Sequence, residues 1–179
     1  MRLNIVARLS RDKDFFFPCL NTIAKLKKNG INCQMNFIGK IYHEDVHDKI
    51  INDSVDRDIL ELVSFTKKSI PISEWTNNTD DYYLNACIGD FVGYSSIDGI
   101  KNGFKTLFVN IIPNINETPK DLSFCSDEND LFNLVKKIYS DMESMNKIIE
   151  QENKELLQNF YLADNEKELL LNILTGQTL

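Results

Sequence analysis

The segment HEDVH holds two histidines, His43 and His47, at a spacing that could bind a metal. On a helix they would share one face, with Glu44 at the general-base position of the zinc-hydrolase motif H-E-x-x-H. These are the only histidines of the chain, so a third ligand would have to be a carboxylate such as Glu61. Asp45 also puts a charge inside a motif whose helix is normally buried, where an unpaired charge is costly. The sequence therefore favours two exposed helix histidines over a zinc hydrolase.

Cationic and hydroxyl-bearing residues form a second group. Arg8 and Lys13 follow the predicted first strand, and Ser95, Ser96 and Asp98 stand at the end of the predicted fourth. Ligands of open parallel sheets bind beyond the carboxyl ends of the strands. Cations there meet phosphate charge, a helix start offers N–H donors and a carboxylate accepts from ribose, which suits a nucleoside diphosphate. On pattern alone, the cations are more often a solvated loop and the serines only a helix cap.

The placement of these residues depends on the predicted elements, which alternate between strand and helix over the first 110 or so residues. Helices between short strands predict parallel pairing, right-handed crossovers and a doubly wound α/β sheet of five to six strands with helices on both faces. Gly39 closes the second strand, where the backbone can approach a ligand closely. The predicted strands are 3–8, 33–39, 59–65, 90–95 and 106–112, and the predicted helices are 16–30, 43–54, 80–89 and 96–103.

The remainder of the chain is predicted to be helical. Asp127 is a plausible N-cap for the first of these helices. The last helix carries many apolar residues between Phe160 and Leu174. It either covers this domain or needs a partner that the chain lacks. We therefore predict one domain over 1–179, with the sheet and crossover helices in 1–125 and a helical tail in 126–179.

Composition excludes several classes of function. A net charge of −7 over 179 residues argues against a nucleic-acid binder, which needs a basic surface. No apolar run approaches the roughly 18 residues of a membrane span, and the start does not have the pattern of a signal peptide. The four cysteines are scattered and read as buried residues of a reducing cytosol. We expect a cytoplasmic protein with no metal and no cofactor.

The first 40 residues resemble a known family. IVARLSRDKDFFFPCLNTIAKLKKNGINCQMNFIGK is similar to the opening of the C-terminal domain of group 1 glycosyltransferases with the GT-B fold. That family reads strand, G-R-L-x-x-x-K-G, helix, then a strand ending in Gly. Arg8, Leu9 and Lys13 match, whereas Ala7 and Asp14 replace the two glycines.

A later block extends the resemblance. GDFVGYSSIDGIKNGFKTLFVN resembles a strand followed by E-A-x-x-x-G-x-P, with Asp98 at the Glu position and Gly103, five residues later, at the glycine. Gly99 stands in place of the Ala, and Lys105 replaces the proline. SDENDLFNLVKKIYSDMESMNKII looks like the closing helices of the family, so the resemblance covers nearly the whole chain.

The resemblance implies a nucleotide-sugar donor site that needs no metal. Arg8 and Lys13 would hold the diphosphate and stabilise the leaving nucleoside diphosphate. Asp98 would accept from the ribose hydroxyls, and the base would lie near the loop 66–70. The implied site residues are Arg8, Lys13, Gly39, Ser95, Ser96, Ile97 and Asp98.

Two departures qualify the implied activity. The family has two glutamates spaced E-x7-E; Asp90 lies eight residues before Asp98, but the predicted strand 90–95 places it at the far end from the site. A GT-B enzyme also works between two domains, and this chain has room for one. The implied protein is the donor-binding half of a retaining glycosyltransferase that uses a UDP-, GDP- or ADP-sugar. It would lack an N-terminal acceptor-binding domain, through which it could reach a membrane surface. The alternative is a non-catalytic nucleotide-binding module on the same fold.

Overall fold

The structure is a computed structural model that describes residues 1–13, 15–88, 94–111, 123–158, 166–167, 170–171 and 174. Its centre is a parallel sheet of six described strands in the order β3-β2-β1-β4-β5-β6. This confirms the predicted doubly wound α/β fold. The strands are β1 (Arg2–Val6), β2 (Gln34–Ile38), β3 (Val63–Phe65), β4 (Asp81–Ile88), β5 (Thr106–Ile111) and β6 (Phe124–Cys125). The helices are α1 (Phe16–Lys28), α2 (Glu44–Asp56), α3 (Tyr94–Lys101), α4 (Glu128–Ser140) and α5 (Met142–Gln158), with single 3₁₀ turns at Leu60–Leu62 and Ile72–Glu74.

One face of the sheet carries the hydrophobic core. Alternate residues of the strands, such as Leu3, Met35 and Leu84, are at most 1% exposed and pack against α1 and α4. Burying a side chain of this size stabilises the fold by about 1.5–3 kcal/mol. Leu3 lies opposite Met35 in the register of β1 and β2, so the apolar positions of neighbouring strands align across the sheet.

The opposite face is polar at its centre. The register aligns Ser64, Asn36, Asn4, Tyr83 and Thr106 in one row across five adjacent strands. Strands of a parallel sheet that is covered on both faces are normally continuous apolar runs. This face is covered by α3 and by the segment 66–80, which connects β3 to β4.

Helix α5 fastens the amino ends of β4 and β5. The Asn153 side chain accepts from the backbone N–H of Thr106 at 2.6 Å and donates to its carbonyl at 3.0 Å. Tyr82 donates its hydroxyl to Asn146 at 2.6 Å. Asn146 in turn donates to the Thr79 carbonyl at 3.0 Å. These contacts hold the central strands from the edge opposite to the predicted site.

Several predicted elements are wrong. The segment 80–89, predicted as a helix, is the central strand β4, where the adjacent Tyr82 and Tyr83 favour an extended backbone. Of the predicted strand 90–95, residues 90–93 lie outside the described part of the chain, while Tyr94 and Ser95 begin α3. The predicted strand 59–65 is a strand only over its last three residues, after one 3₁₀ turn. Strand β6 was not predicted, since two paired residues are too few to form a pattern.

The predicted cap of α4 is confirmed, and so is the predicted burial of three of the four cysteines, whereas Cys87 is only partly buried. Asp127 caps α4, and its carboxylate accepts from the backbone N–H groups of Asn129 and Asp130 at 2.7 and 2.9 Å. Cys19, Cys33 and Cys125 are buried, which raises the pKa of each thiol to about 12. Within the described residues, no helix combines the length and the apolar character needed to cross a membrane. Most of the predicted last helix lies outside the described residues.

Candidate functional site

The loops that follow β1 and β2 pair with each other beyond the sheet. The Leu9 N–H donates to the Lys40 carbonyl at 3.0 Å, and Leu9 forms a parallel bridge with Ile41. Gly39 is required by this approach, because a Cβ there would overlap the Ala7 carbonyl. The glycine is thus explained by packing within the chain, and its contact with a ligand stays a prediction.

Arg8 stands on this double loop at the carboxyl edge. Its side chain is 56% exposed, and its guanidinium donates to Asp12 at 3.0 Å. Asp12 also accepts a hydrogen bond from Ser10. These two hydrogen bonds lower the pKa of Asp12 to about 2, and the one from Ser10 has the larger effect. The Arg8 guanidinium also lies 5.9 Å from the centre of the Tyr42 ring. Arg8 is therefore oriented towards solvent at the edge and already shares its charge with a carboxylate.

Lys13 is placed differently. It is half-buried and lines a cavity of about 100 Å³ between the carboxyl ends of β1 and β4, where Ser95 of α3 forms part of the wall. Asn85 and Cys87 of β4 line the same cavity. The strand order reverses direction between β1 and β4, and this switch point is where open α/β sheets bind ligands. Of the predicted site residues, Lys13 and Ser95 line this cavity, while Arg8 and Asp98 lie exposed outside it.

The two predicted serines are engaged with the sheet. The hydroxyls of Ser95 and Tyr83 are 2.9 Å apart, and fully buried Ser96 donates to Asn85 at 2.7 Å. Burial raises the pKa of Tyr83, although its hydrogen bonds to the serines oppose this rise. Ile97 is also buried, at 6% exposure. The start of α3 therefore offers a ligand chiefly its backbone N–H groups, because the first N–H groups of a helix have no acceptor within the helix.

The carboxyl edge is basic although the chain is acidic. Six of its 20 Lys and Arg residues follow the first three strands, against a net charge of −7. Arg11 is neutralised by a two-point ion pair with Asp45, at 2.9 and 3.1 Å. Arg8 is likewise paired with Asp12, so the positive charge for an anionic ligand comes chiefly from the four lysines at this edge. These six residues are Arg8, Arg11, Lys13, Lys40, Lys67 and Lys68.

The interpretation of Asp90 rested on its position in a predicted strand. The sequence placed Asp90 at the start of a strand, on the side away from the site. Strand β4 ends at Ile88, and the next described residue is Tyr94 at the start of α3. Asp90 itself lies outside the described residues.

The HEDVH segment does not form the zinc-hydrolase arrangement. His43 precedes α2, and its Nδ1 accepts from the backbone N–H of Arg11 at 3.3 Å. His47 was expected to be exposed, but its side chain is only 13% exposed and packs against Phe65 at 4.7 Å between ring centres. Within the described residues, the side chains close enough to share a metal are Glu44, His47 and Asp48, which leaves out His43.

A second cavity, of about 150 Å³, lies beneath the segment 66–76 on the polar face of the sheet. Its walls include Asn4 and Asn36 from the polar row and the aromatic rings of Trp75 and Tyr83. The sequence analysis expected a ligand group near 66–70 but missed these four residues. The signal was present, because an asparagine at the middle of two consecutive buried strands is unusual in a parallel sheet.

Comparison with solved structures identifies the class of fold. A glycosyltransferase from Rickettsia africae superposes with a TM-score of 0.69 at 13% identity, over 96% of this chain and 46% of that protein. Anabaena Alr3699/HepE, solved in complex with UDP and glucose, gives a TM-score of 0.66 at 11% identity, over 98% of this chain and 48% of that one. This chain therefore spans about half the length of these relatives and has the fold of GT-B glycosyltransferases.

A third neighbour has the size of this chain. The catalytic domain of cholesterol-α-glucosyltransferase from Helicobacter pylori superposes with a TM-score of 0.56 at 14% identity, over 89% of this chain and 99% of that one. No protein-family profile and no curated protein matches the sequence. The likeness is thus one of fold, which confirms the resemblance at that level.

Proposed function

We propose that this chain is the donor-binding half of a retaining glycosyltransferase and that it binds a nucleoside diphosphate sugar at the carboxyl edge of the sheet. The observation that carries the proposal is the cavity at the switch point between β1 and β4, where Lys13 meets the start of α3. The basic edge around it and the fold shared with glycosyltransferases support the same conclusion.

Different residues would supply the positive charges and the hydrogen-bond donors that hold a diphosphate. Lys13 lies closest to the cavity, so its ammonium is the main counter-charge for the phosphates. Arg8 adds a second positive charge from the exposed side. As the glycosidic bond breaks, negative charge grows on the leaving diphosphate, and both cations stabilise it without a metal. The backbone N–H groups of Ser95, Ser96 and Ile97 add donors at the helix start.

Asp98 lies on the exposed side of α3, one turn from its start. We propose that it accepts hydrogen bonds from the ribose hydroxyls, because a carboxylate beside the phosphate site can reach the next unit of the nucleotide. We propose that the acceptor site and the rest of the catalytic machinery come from a second domain, since the chain spans about half the length of these neighbours. We place the protein in the cytoplasm, where that domain could bring it to a membrane surface.

Thermal stability in the presence of nucleotides tests the proposal. UDP, GDP and ADP are titrated in EDTA against the wild-type chain, Lys13→Ala, Arg8→Ala and the charge-matched control Lys147→Ala, a 72% exposed residue of α5. We expect saturable stabilisation by one diphosphate, weakened in the two site variants and unchanged in the control. Equal responses in all four proteins, or none at all, would refute the donor site.

The second candidate, a non-catalytic module, is favoured by the short carboxylate at Asp98 and by Lys105 in place of the family proline. Lys105 is 5% exposed, donates to the Asn78 carbonyl at 3.2 Å and so belongs to the fold. Both candidates bind a nucleotide. Sugar transfer by the chain joined to its acceptor domain separates them.

A further inference from the structure

The cavity beneath the segment 66–76 has a hydrogen-bonding wall. Asn36 donates to the Asn4 side-chain carbonyl at 3.1 Å and accepts from Ser64 at 3.1 Å, while Asn4 donates to the Tyr82 carbonyl at 3.3 Å. A side-chain amide has two N–H donors and two acceptor lone pairs. The bonds made within the described residues therefore leave Asn36 one donor and one acceptor. These are adjacent, as in the edge of an amide.

The other walls are aromatic. The Trp75 ring lies parallel to Tyr83, with 5.9 Å between centres and 4° between planes, and meets Phe104 edge-on at 5.4 Å. The Trp75 indole N–H donates to the Ile70 carbonyl at 2.9 Å, which ties the segment into a closed turn over the sheet. The cavity thus combines flat apolar surfaces with one amide edge. This combination is complementary to a planar heterocycle, which has apolar faces and a hydrogen-bonding edge.

The size of the cavity limits its occupant. A cavity of about 150 Å³ in another protein holds a single benzene ring, and this one has a similar volume. One six-membered ring fits such a space more readily than the fused rings of a purine. The pyrimidine bases are six-membered rings that offer an adjacent donor and acceptor, as uracil does along its imide edge.

Tyr83 connects this cavity to the proposed phosphate site. Its ring lines both cavities, and its hydroxyl is 2.9 Å from that of Ser95 at the start of α3. The two cavities are therefore neighbours: one lies on the polar face of the sheet, the other at the carboxyl ends of β1 and β4, and Tyr83 lines both. A ligand with a ring in the first and phosphates at the second would have the layout of a nucleotide.

We infer that this cavity, with Asn36 as its reading residue and Trp75 as its cover, is a base subsite that selects a pyrimidine, so that the donor is a uridine diphosphate sugar. This inference rests on the proposed function and adds the identity of the base. Asn4 holds Asn36 in position, and Trp75 with Tyr83 shapes the slot.

Trp75 provides the measurement, because it is the only tryptophan of the chain. UDP, ADP and inorganic pyrophosphate are titrated against the wild-type chain, Asn36→Leu and the control Asn52→Leu, an exposed position of α2. Tryptophan fluorescence and thermal stability are followed together. We expect UDP to change the fluorescence and to bind at least about tenfold more tightly than ADP. Asn36→Leu should lose at least about tenfold in UDP affinity, since it removes both the donor and the acceptor that Asn36 offers the base, and keep its response to pyrophosphate.

A ligand-side test does not depend on the folding of a variant. UDP methylated at N3 lacks the imide donor, so it should bind the wild-type chain about as weakly as ADP. Equal affinities for UDP, ADP and N3-methyl-UDP would overturn the pyrimidine subsite but leave the donor site intact. Stabilisation by UDP with unchanged Trp75 fluorescence would place the base elsewhere and overturn it as well. No response to any diphosphate or to pyrophosphate would overturn both proposals.

Discussion

Replacing Lys13 by alanine should weaken nucleotide binding more than replacing Arg8. Lys13 is half-buried against the cavity, where a hydrogen bond to a charged group contributes about 1.5–3 kcal/mol. Since 1.4 kcal/mol is tenfold, Lys13→Ala should raise the Kd about 10- to 150-fold. The Arg8 side chain is 56% exposed and already paired with Asp12. Exposed pairs contribute about 0.2–1 kcal/mol, so Arg8→Ala should raise the Kd by less than about tenfold.

Calorimetric titration with the preferred diphosphate at two salt concentrations measures both effects. The contribution of exposed Arg8 should shrink as salt screens it, whereas that of Lys13 should persist. Asp12→Asn is the diagnostic companion, because it frees the Arg8 guanidinium and should strengthen binding. A larger loss in Arg8→Ala than in Lys13→Ala would refute the reasoning, since it would mean that the ligand sits on the exposed double loop and not in the cavity.

Four other predictions concern stability, pH and reactivity. Asn153→Leu should lower the free energy of unfolding in urea by about 2–4 kcal/mol, because two buried backbone groups of β5 lose their partner. Gly39→Ala should cost about 1–3 kcal/mol in the same assay, because its Cβ has no space. The hydrogen bonds from Ser10 and then Arg8 lower the pKa of Asp12 from 3.8 to about 2, so the stability they add should be present above about pH 4 and fade towards pH 2. In Asp12→Asn this pH dependence should be absent. Cys87, half-buried in the Lys13 cavity, should react with a thiol reagent before the buried Cys19, Cys33 and Cys125. Bound diphosphate should slow this reaction.

Matched variants give these predictions their controls. Gln151→Ala, on the exposed side of α5, should leave stability within about 0.5 kcal/mol of the wild type. Gly99→Ala should be neutral or stabilising, because its Cβ would make only ordinary contacts at 3.7–3.9 Å. A loss equal to that of Gly39→Ala would contradict the packing argument. If the pH dependence of stability is retained in Asp12→Asn, the prediction for Asp12 is contradicted. If nucleotide does not affect the labelling of Cys87, the prediction that the diphosphate occupies its cavity is contradicted.

The sequence was sufficient for the elements whose patterns are local. Helix α1 has an apolar stripe and ends in lysines before Gly30, whose φ of +74° is one that glycine adopts freely. Helix α4 begins at a recognisable cap, Asp127. Strand β4 was misread because both of its faces are buried, so its residues lack the alternation that marks a half-exposed strand. The error also affected the next predicted strand, whose last two residues, Tyr94 and Ser95, begin α3.

The site was predictable in its residues more than in its geometry. Spacing and resemblance singled out Arg8 and Lys13 equally, but only the packing of the loops places one at the cavity and the other in solvent. Gly39 was chosen for its freedom to approach a ligand, yet the space beside it is filled by Ala7. No local pattern reports such long-range contacts, since they depend on which strands become neighbours.

The polar row on the sheet bears on whether the chain evolved for stability or for binding. Burying an amide without full hydrogen bonding costs about 1–3 kcal/mol, and Asn4 and Asn36 occupy central strand positions where valine or isoleucine would pack at no such cost. Elsewhere on this face the polar groups are hydrogen-bonded to each other: Ser96 donates to Asn85, and the Thr106 N–H donates to Asn153. At the cavity they do not, since Asn36 keeps one donor and one acceptor beyond its described bonds. Replacing both partners of the Asn36–Asn4 hydrogen bond by leucine, as in Asn4→Leu with Asn36→Leu, should therefore stabilise or leave unchanged the free chain while it weakens the nucleotide complex. A variant that loses both would mean that the row serves the sheet alone.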